Sequence, residues 1–407
     1  MLRLLNTRVN LSFIVNPFYM YCVAFTLAIF VYLWGWSDIF PELSAGLILF
    51  LSATSILFIF AGHIFIKKPS KLFNYQTLNL FLNDIIFGLI ILLGLINVLY
   101  MGYLPVMDRS HNYREFGMPV IDIVFNTLSI FFTLHFFHSF LENKKRRFLI
   151  YVFIILIFQI LLFRRSTIVW ILTSSSFLFL LNKKKISLLI LTVCIIGIPL
   201  LSYCFGLYGN TRSKLSKSFV LNDLGASDAF KNSGISRNHY MTYLYVSSPL
   251  ANLQKNIYEG DGFFNMGDIK DFSFYCLIPE SLTNRLEKSL NLSKPVCNLI
   301  TPDLIVGSFF MVSFYTLGWG GMIVMFLYLF VFILIGLYVL RKWSTFGMET
   351  LSLLSATVSL LIFSNFLNRL DVILMLFVYP VLFHLIYRRS YKIPGFSFII
   401  PIAKTKR

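Results

Sequence analysis

The sequence predicts an all-α polytopic membrane protein with about ten transmembrane helices. Of its 407 residues, 57% are hydrophobic and 13% are charged, whereas a soluble protein carries about 25% charged residues. Apolar runs of about 18 or more residues recur along the chain, and each is long enough to cross a hydrocarbon core about 30 Å thick. A membrane β-barrel would instead show alternating segments of about 10 residues.

The chain reads as one transmembrane domain, 1–407, with ten predicted spans. They lie near 14–34, 44–66, 80–101, 119–141, 148–163, 166–182, 186–207, 306–339, 349–367 and 371–387. The eighth run is too long for one upright span, so its first part is predicted to be a separate interfacial or re-entrant helix, broken at Gly318, Gly320 and Gly321. One large loop, 208–305, is inserted between spans seven and eight, and short helices are predicted in it at 236–257 and 279–291.

Basic clusters set the predicted orientation. They follow spans two, four, six, eight and ten, at Lys67–Lys71, Lys144–Arg147, Lys183–Lys185, Arg341–Lys342 and Arg388–Lys392. Lys and Arg mark cytoplasmic loops, so both termini are expected in the cytoplasm and the large loop outside. The net charge of +17 then reflects topology, and no nucleic-acid partner is expected. The first apolar run lacks a small-residue cleavage site and is expected to be retained.

Arginines gather on the predicted outer face, near the membrane. They are Arg109, Arg114, Arg164, Arg165, Arg212, Arg237 and Arg369. An arginine at membrane depth costs about 2.5–3.5 kcal/mol. An ion pair with a neighbouring helix offsets that cost, and so does an anionic ligand, because guanidinium matches phosphate oxygens with two parallel hydrogen bonds. The nearby carboxylates are only Asp108, Glu115, Asp122 and Asp371, so the sequence favours a site for a lipid phosphate or pyrophosphate.

Several other side chains have two readings. His111, His239 and Asp371 are candidate general bases. The alternative for His239 is a packing or sugar-binding role, and the alternative for Asp371 is a salt bridge to Arg369. Cys276 and Cys297 form either a disulfide or two buried thiols. His63, His135, His138 and His384 lie in or beside spans, and interhelical hydrogen bonds are expected for them. No P-loop, dinucleotide turn, zinc spacing or G-x-S-x-G is present, so neither cofactor nor metal is predicted.

Four segments resemble those of the Wzy-type O-antigen polymerases, which polymerise oligosaccharide repeat units in bacterial inner membranes. The segments are YLPVMDRSHNYREFG at 103–117, RRSTIVW at 164–170, NHYMTYLYVSSPLANLQ at 238–254 and TPDLIVGSFFMVSFYTLGWGG at 301–321. The span count and the large late loop also fit. Where the family often has an acidic residue before the glycine turn, this chain has Thr316, Leu317 and Gly318.

The resemblance implies a GT-C-like inner-membrane glycosyltransferase that is inverting and needs no metal or nucleotide sugar. A growing glycan on undecaprenyl pyrophosphate would pass to the non-reducing-end sugar of an incoming lipid-linked repeat unit at the periplasmic face. Expected partners are these lipid-linked oligosaccharides, membrane lipids and a chain-length-regulating membrane protein.

Roles for individual residues follow from the same resemblance. The leaving pyrophosphate is assigned to Arg164, Arg165, Arg212 and Arg369. Arg109 and Arg114 in the first outer loop are assigned to substrate binding, and Arg237, His239, Tyr240 and Tyr243 are expected to line the sugar cleft.

Three alternatives stay open. An O-antigen ligase, which transfers finished polymer to a lipid A core, shares the layout and the outer arginines. A flippase for lipid-linked oligosaccharides is disfavoured because it usually has charges within its spans and only short loops. A membrane acyltransferase is expected to carry an exposed His and Arg on its cytoplasmic face, and that arrangement is absent from this sequence.

Overall fold

The computed structural model describes residues 8–9, 11–66, 80–108, 116–183, 186–213, 219–260 and 268–390. The chain divides into two compact units. Unit 1 comprises Met1–Pro69, Lys183–Leu334 and Leu354–Val372, and unit 2 comprises Ser70–Asn182, Ile335–Leu353 and Ile373–Arg407.

The described residues are overwhelmingly helical. In chain order the α-helices are α1 (Pro17–Tyr32), α2 (Ala45–Phe65), α3 (Leu80–Met101), α4 (Pro119–Asn143), α5 (Arg146–Leu161), α6 (Arg165–Lys183), α7 (Leu188–Ser213), α8 (Asp228–Lys231), α9 (Arg237–Glu259), α10 (Ile269–Phe272), α11 (Glu280–Leu286), α12 (Met311–Lys342), α13 (Gly347–Leu360), α14 (Leu370–Ile373) and α15 (Tyr379–Ser390). Wider π-helical turns cover Phe219–Asp223, Ser273–Leu277 and Leu374–Val378, and 3₁₀ turns cover Ser344–Phe346 and Phe366–Asn368. Two short antiparallel strands, β1 (Arg8–Val9) and β2 (Ile186–Ser187), pair within unit 1.

Helical membrane architecture is confirmed at a coarse level. A helix lies at each of the ten positions where the sequence predicts a span. Within the described ranges, four helices are both long enough and apolar enough to cross a bilayer, namely α2, α3, α4 and α12. Shorter apolar helices occupy Pro17–Tyr32, Ile195–Asn210 and Leu370–Ile386.

The expected break in the eighth predicted span is present in α12. Its helical geometry fails at Leu317 (φ −128°, ψ 18°) and at Gly318 (φ 57°, ψ −145°). A residue with a Cβ rarely adopts the Gly318 conformation, so this glycine sets the kink. Gly321 lies in the helix after the kink and close to the backbone before it, because an added Cβ on Gly321 would lie 2.1 Å from the Ser313 carbonyl oxygen. The segment from Met311 to Leu317 is therefore a separate short helical piece.

Part of the predicted outer loop folds onto the end of α1 in unit 1. Asp38 and Ser227 donate backbone hydrogen bonds to Gly225 (2.9 Å) and Trp36 (2.9 Å). A buried cluster from the loop and α9 packs against Trp36 and Phe40, and includes Leu224, Ala226, Phe230, Tyr240, Met241, Tyr243, Leu244 and Leu304. The expectation that this loop is folded is therefore confirmed over its described part.

The interhelical role expected for four histidines is confirmed at three of them, all in unit 2. On α4, His135 and His138 contact the same Glu349 oxygen on α13 through Nδ1, at 3.3 and 2.9 Å. His384 on α15 contacts Thr345 at 2.6 Å. The fourth, His63, is exposed near the end of α2.

Replacing Gly318 by alanine should lower the free energy of unfolding by about 1–3 kcal/mol, because alanine is strained in this conformation. Thermal unfolding of the purified protein in detergent measures the loss. The matched control is Gly88, an exposed glycine of α3 at which an added Cβ would meet no other atom within 4 Å. Gly88→Ala should stabilise the protein by up to about 1 kcal/mol. Equal effects of the two substitutions would contradict this account of the kink.

Candidate functional site

The turn between α13 and α14 holds one of the predicted arginines in a fixed orientation. Arg369 donates from Nε to Asp371 Oδ1 (3.1 Å) and from Nη2 to Oδ2 (2.5 Å). Its guanidinium also lies 5.4 Å from the centre of the Phe366 ring. The Arg369 side chain is 42% exposed. Because the carboxylate takes only the Nε edge, the opposite edge of the guanidinium is left for another acceptor.

Asp371 is occupied by three donors. Besides the two bonds from Arg369, its Oδ1 accepts the backbone N–H of Val372 at 2.9 Å. A carboxylate engaged in this way orients its partner and is poorly placed to remove a proton from a substrate. The geometry thus favours the salt-bridge reading over the general-base reading for Asp371.

Side chains of the same turn and of α12 also bind the π-helical turn Ser273–Leu277 of the large loop. Three consecutive backbone carbonyls each accept a side-chain hydrogen bond: Tyr275 from Asn368 (3.0 Å), Cys276 from Asn365 (2.7 Å) and Leu277 from Tyr328 on α12 (3.4 Å). Buried carbonyls need such partners, because an unpaired one costs about 1–3 kcal/mol. The loop therefore fixes the turn that carries Arg369.

Helix α9 binds a non-helical segment of the loop, residues 298–306, through side chains on one of its faces. Asn252 donates to the carbonyls of Leu304 (2.6 Å) and Val306 (2.8 Å) and accepts from Ile300 N (2.8 Å). One turn later, Asn256 exchanges bonds of 2.8 and 3.0 Å with the backbone of Asn298. Residues 298–306 pair with no strand among the described residues, and the two asparagine side chains bond their backbone groups instead.

In unit 2, Arg164 lies between α5 and α6 and is paired with Asp122 in the first turn of α4. Its Nη2 donates to Asp122 Oδ1 and to the carbonyl of Phe116 (3.3 Å). Asp122 also accepts from Asn97 Nδ2 and Asn126 Nδ2, each at 3.2 Å. The Arg164 side chain is 15% exposed and that of Asp122 18%. This is a half-buried ion pair with every carboxylate oxygen bonded.

Two of the seven predicted outer arginines therefore have a carboxylate partner, namely Arg164 and Arg369. The predicted excess of arginines over carboxylates stays a prediction. Both pairings were visible in principle, because Asp122 begins a helix and Asp371 follows Arg369 by two residues. Sequence alone does not show that each carboxylate turns towards its arginine.

His239 has one ring nitrogen fixed. Its Nδ1 lies 3.0 Å from the Ser202 hydroxyl on α7, and its ring centre lies 5.8 Å from that of Tyr203. Helices α7 and α9 are closely packed here. An added Cβ on Gly206 of α7 would lie only 1.8 Å from the Asn238 carbonyl oxygen of α9. When Nδ1–H donates to Ser202, the lone pair of Nε2 can accept a proton.

Tyr240 and Tyr243 lie in the core rather than in an open cleft. Tyr240 is 0% exposed and donates to the Leu224 carbonyl at 2.7 Å. The Tyr243 ring stacks on it at 5.9 Å, and burial raises the pKa of Tyr243 to about 12. With both faces packed, these rings cannot stack on a sugar, so the sugar-cleft role expected for them does not fit this geometry.

The remaining predicted site residues begin helices or lie outside the described residues. Arg165 is the half-buried first residue of α6, and Arg237 is the half-buried first residue of α9. Arg212 lies in α7, but its side chain is outside the described part, as are Arg109, His111 and Arg114 altogether. Across the described ranges, no hydrogen bond or ion pair joins Arg237 or His239 to Arg369.

The described residues contain no cluster of His, Cys, Asp and Glu suited to a metal ion.

Cys276 and Cys297 are both free thiols and do not form a disulfide with each other. Burial raises the pKa of Cys297 to about 12, so this thiol stays protonated and unreactive near neutral pH.

Asp122→Asn should lower the free energy of unfolding by about 2 kcal/mol, because Arg164 then stays half-buried without a counter-charge. The matched control is Asp84→Asn, which breaks the 2.6 Å pair with Arg147, whose partners are 36% and 45% exposed. That exposed pair should contribute less than about 1 kcal/mol. Thermal unfolding of both variants measures the difference, and losses of equal size would show that Asp122 does not hold Arg164.

Comparison of the chain with protein-family models, curated proteins and solved structures finds no match.

Proposed function

We propose that the chain is a membrane glycosyltransferase of the O-antigen polymerase type. It would have about ten spans in a GT-C-like arrangement, lie in a bacterial inner membrane with both termini cytoplasmic, and act at the periplasmic face. Helices at all ten predicted positions, basic clusters after the even-numbered spans and the folded large loop support this layout.

The proposed reaction joins two glycans carried on undecaprenyl pyrophosphate. A hydroxyl oxygen of the incoming repeat unit attacks the anomeric carbon of the growing chain. The bond from that carbon to the pyrophosphate oxygen breaks, the hydroxyl proton passes to a base, and undecaprenyl pyrophosphate leaves with the bonding electrons. No nucleotide sugar takes part.

The geometry of Arg369 carries the proposal. The guanidinium is held by two bonds to Asp371 and by the Phe366 ring, yet is 42% exposed with one edge left over. Charge builds on the pyrophosphate as the glycosidic bond breaks. A donor that is already oriented stabilises that charge without reorganising. Asp371 is then a positioning residue for Arg369.

Arg164 would serve in the same way in unit 2. Asp122 and the Phe116 carbonyl both bind its Nη2, whereas its buried Nε has no hydrogen-bond partner among the described residues. Arg165 follows it at the start of α6. Asp122, held by Asn97 and Asn126, would set the orientation of Arg164.

His239 is the proposed base, because its Nδ1 contact with Ser202 fixes the ring and leaves Nε2 to accept the hydroxyl proton. Arg237, two residues before it, would contact the sugars or their carrier. Tyr240 and Tyr243 belong to the same helix and pack α9 against Phe230 and Trp36.

Arg369→Lys should lower kcat about 100-fold, because lysine keeps the charge but loses the planar fork held by Asp371. Arg164→Lys and Arg165→Lys should reduce activity in the same direction. Polymer length and amount are measured with purified protein and a lipid-linked repeat unit, without nucleotide sugar. Arg285→Lys on the exposed side of α11 is the matched control and should keep full activity.

The same assay separates the alternatives. A polymerase extends the lipid-linked repeat unit by itself, a ligase requires a lipid A core acceptor, and a flippase forms no new glycosidic bond. Normal chain lengths from both Arg164→Ala and Arg369→Ala would contradict the pyrophosphate role.

His239→Gln should lower kcat about 100-fold, because glutamine can keep a hydrogen bond to Ser202 but cannot accept the hydroxyl proton. Ser202→Ala should lower kcat less than His239→Gln does, because Ser202 only orients the ring through its 3.0 Å contact with Nδ1. Both values are measured by polymerisation with the purified variants. A kcat unchanged by His239→Gln would exclude His239 as the base.

A further inference from the structure

A bulky residue in the left-handed backbone conformation joins α5 to α6 in unit 2. Phe163 has a φ of 54°, which a residue with a Cβ adopts only at a cost. Among the described residues other than glycine, positive φ occurs also at Lys144 (57°) and Asn291 (47°), and both are exposed. The Phe163 side chain is instead 8% exposed. Phe163 is therefore an outlier in both its backbone and its burial.

The hydrogen bonds around Phe163 are those of a Schellman motif, which ends a helix with one left-handed residue. The Phe163 N–H donates to the Ile160 carbonyl (3.0 Å), and the Arg164 N–H donates to the Gln159 carbonyl (3.1 Å). Glycine is the usual left-handed residue of this motif, because it has no Cβ. This chain has phenylalanine instead, so the turn carries backbone strain that glycine would remove.

The same turn fixes the backbone of Arg164 on both sides. Only residues 162–164 separate α5 from α6. The Arg164 N–H is bonded to the last turn of α5, and the Arg164 carbonyl accepts the N–H of Ile168 in the first turn of α6 (3.2 Å). Any rotation at Phe163 therefore moves the Arg164 Cα, and with it the guanidinium that Asp122 binds.

Stability alone does not favour phenylalanine over glycine at position 163. The strain of a left-handed residue and the gain from burying an aromatic side chain are of similar size and opposite sign. The two residues differ in conformational freedom, because glycine adopts positive and negative φ about equally. A buried ring instead holds the turn in one conformation. Strained residues of this kind are found where the position of a neighbouring group matters.

We infer that Phe163 is a positioning residue for Arg164, an inference that rests on the pyrophosphate role proposed for that arginine. The buried ring holds the turn, and the turn holds the Arg164 backbone in place for the guanidinium to bind pyrophosphate oxygens. Asp122 orients the far end of the same side chain from α4. Arg164 is thus fixed both at its backbone and at its guanidinium.

The affinity for farnesyl diphosphate tests this role in the full-length protein in nanodiscs. Phe163→Gly should weaken binding about fivefold, because the arginine is no longer preorganised. The affinity for farnesol and the number of binding sites should stay unchanged, whereas a protein that was merely less folded would lose sites. Phe163→Leu keeps a Cβ and a buried apolar side chain, so it should bind like wild type.

The matched control is Lys144→Gly, which replaces the left-handed residue that ends α4. This substitution removes the same backbone strain at a turn that holds no predicted site residue, so the affinity for farnesyl diphosphate should not change. If Phe163→Gly does not fold, Phe163→Asn takes its place, because asparagine tolerates the left-handed conformation.

A double-mutant cycle with Arg164→Lys shows whether Phe163 acts through that arginine. Arg164→Lys should weaken diphosphate binding by itself, and Phe163→Gly should then add little, because the effects of coupled residues are not additive. Wild-type affinity in Phe163→Gly, or an equal loss with and without Arg164→Lys, would overturn the positioning role and leave the pyrophosphate role of Arg164 intact. Wild-type affinity in Arg164→Lys would refute the pyrophosphate role and the positioning role with it.

Discussion

Polar groups placed where water is scarce must find their partners within the chain, and this constraint organises the structure. At the α13–α14 turn it appears as three backbone carbonyls bound by Asn365, Asn368 and Tyr328. In unit 2 it appears as Asp122 bound by an arginine and two asparagines. Each arrangement is a local solution to the same cost of leaving a polar group unpaired.

The same constraint bears on how the arginines can function. A carboxylate that pairs with an arginine reduces the net charge of the site, which weakens long-range attraction for an anion. It also fixes the guanidinium in one orientation, which favours catalysis because the donor needs no rearrangement as charge develops. For Arg369 both effects are present, since one edge is bound and the side chain remains 42% exposed. The proposed function depends on the second effect outweighing the first.

Sequence reasoning predicted the helices well because long apolar runs leave few choices in a membrane. It also predicted the Gly318 break, since a glycine cluster interrupted an overlong run. It missed Asn252, Asn256, Asn365 and Asn368, whose partners are backbone groups about 40 to 90 residues away in sequence. Sequence also could not show that Tyr240 is buried, because an aromatic residue of a protein core and one of a sugar cleft look alike in sequence.

The most direct test of the central claim is equilibrium binding of a short prenyl diphosphate and of the matching prenyl alcohol to the purified protein in nanodiscs. The diphosphate should bind at least about tenfold more tightly, because oriented guanidinium groups form charge-assisted bonds with phosphate oxygens. Arg369→Lys should remove most of this difference. Equal affinity for diphosphate and alcohol in the wild-type protein would exclude a pyrophosphate site built on these arginines.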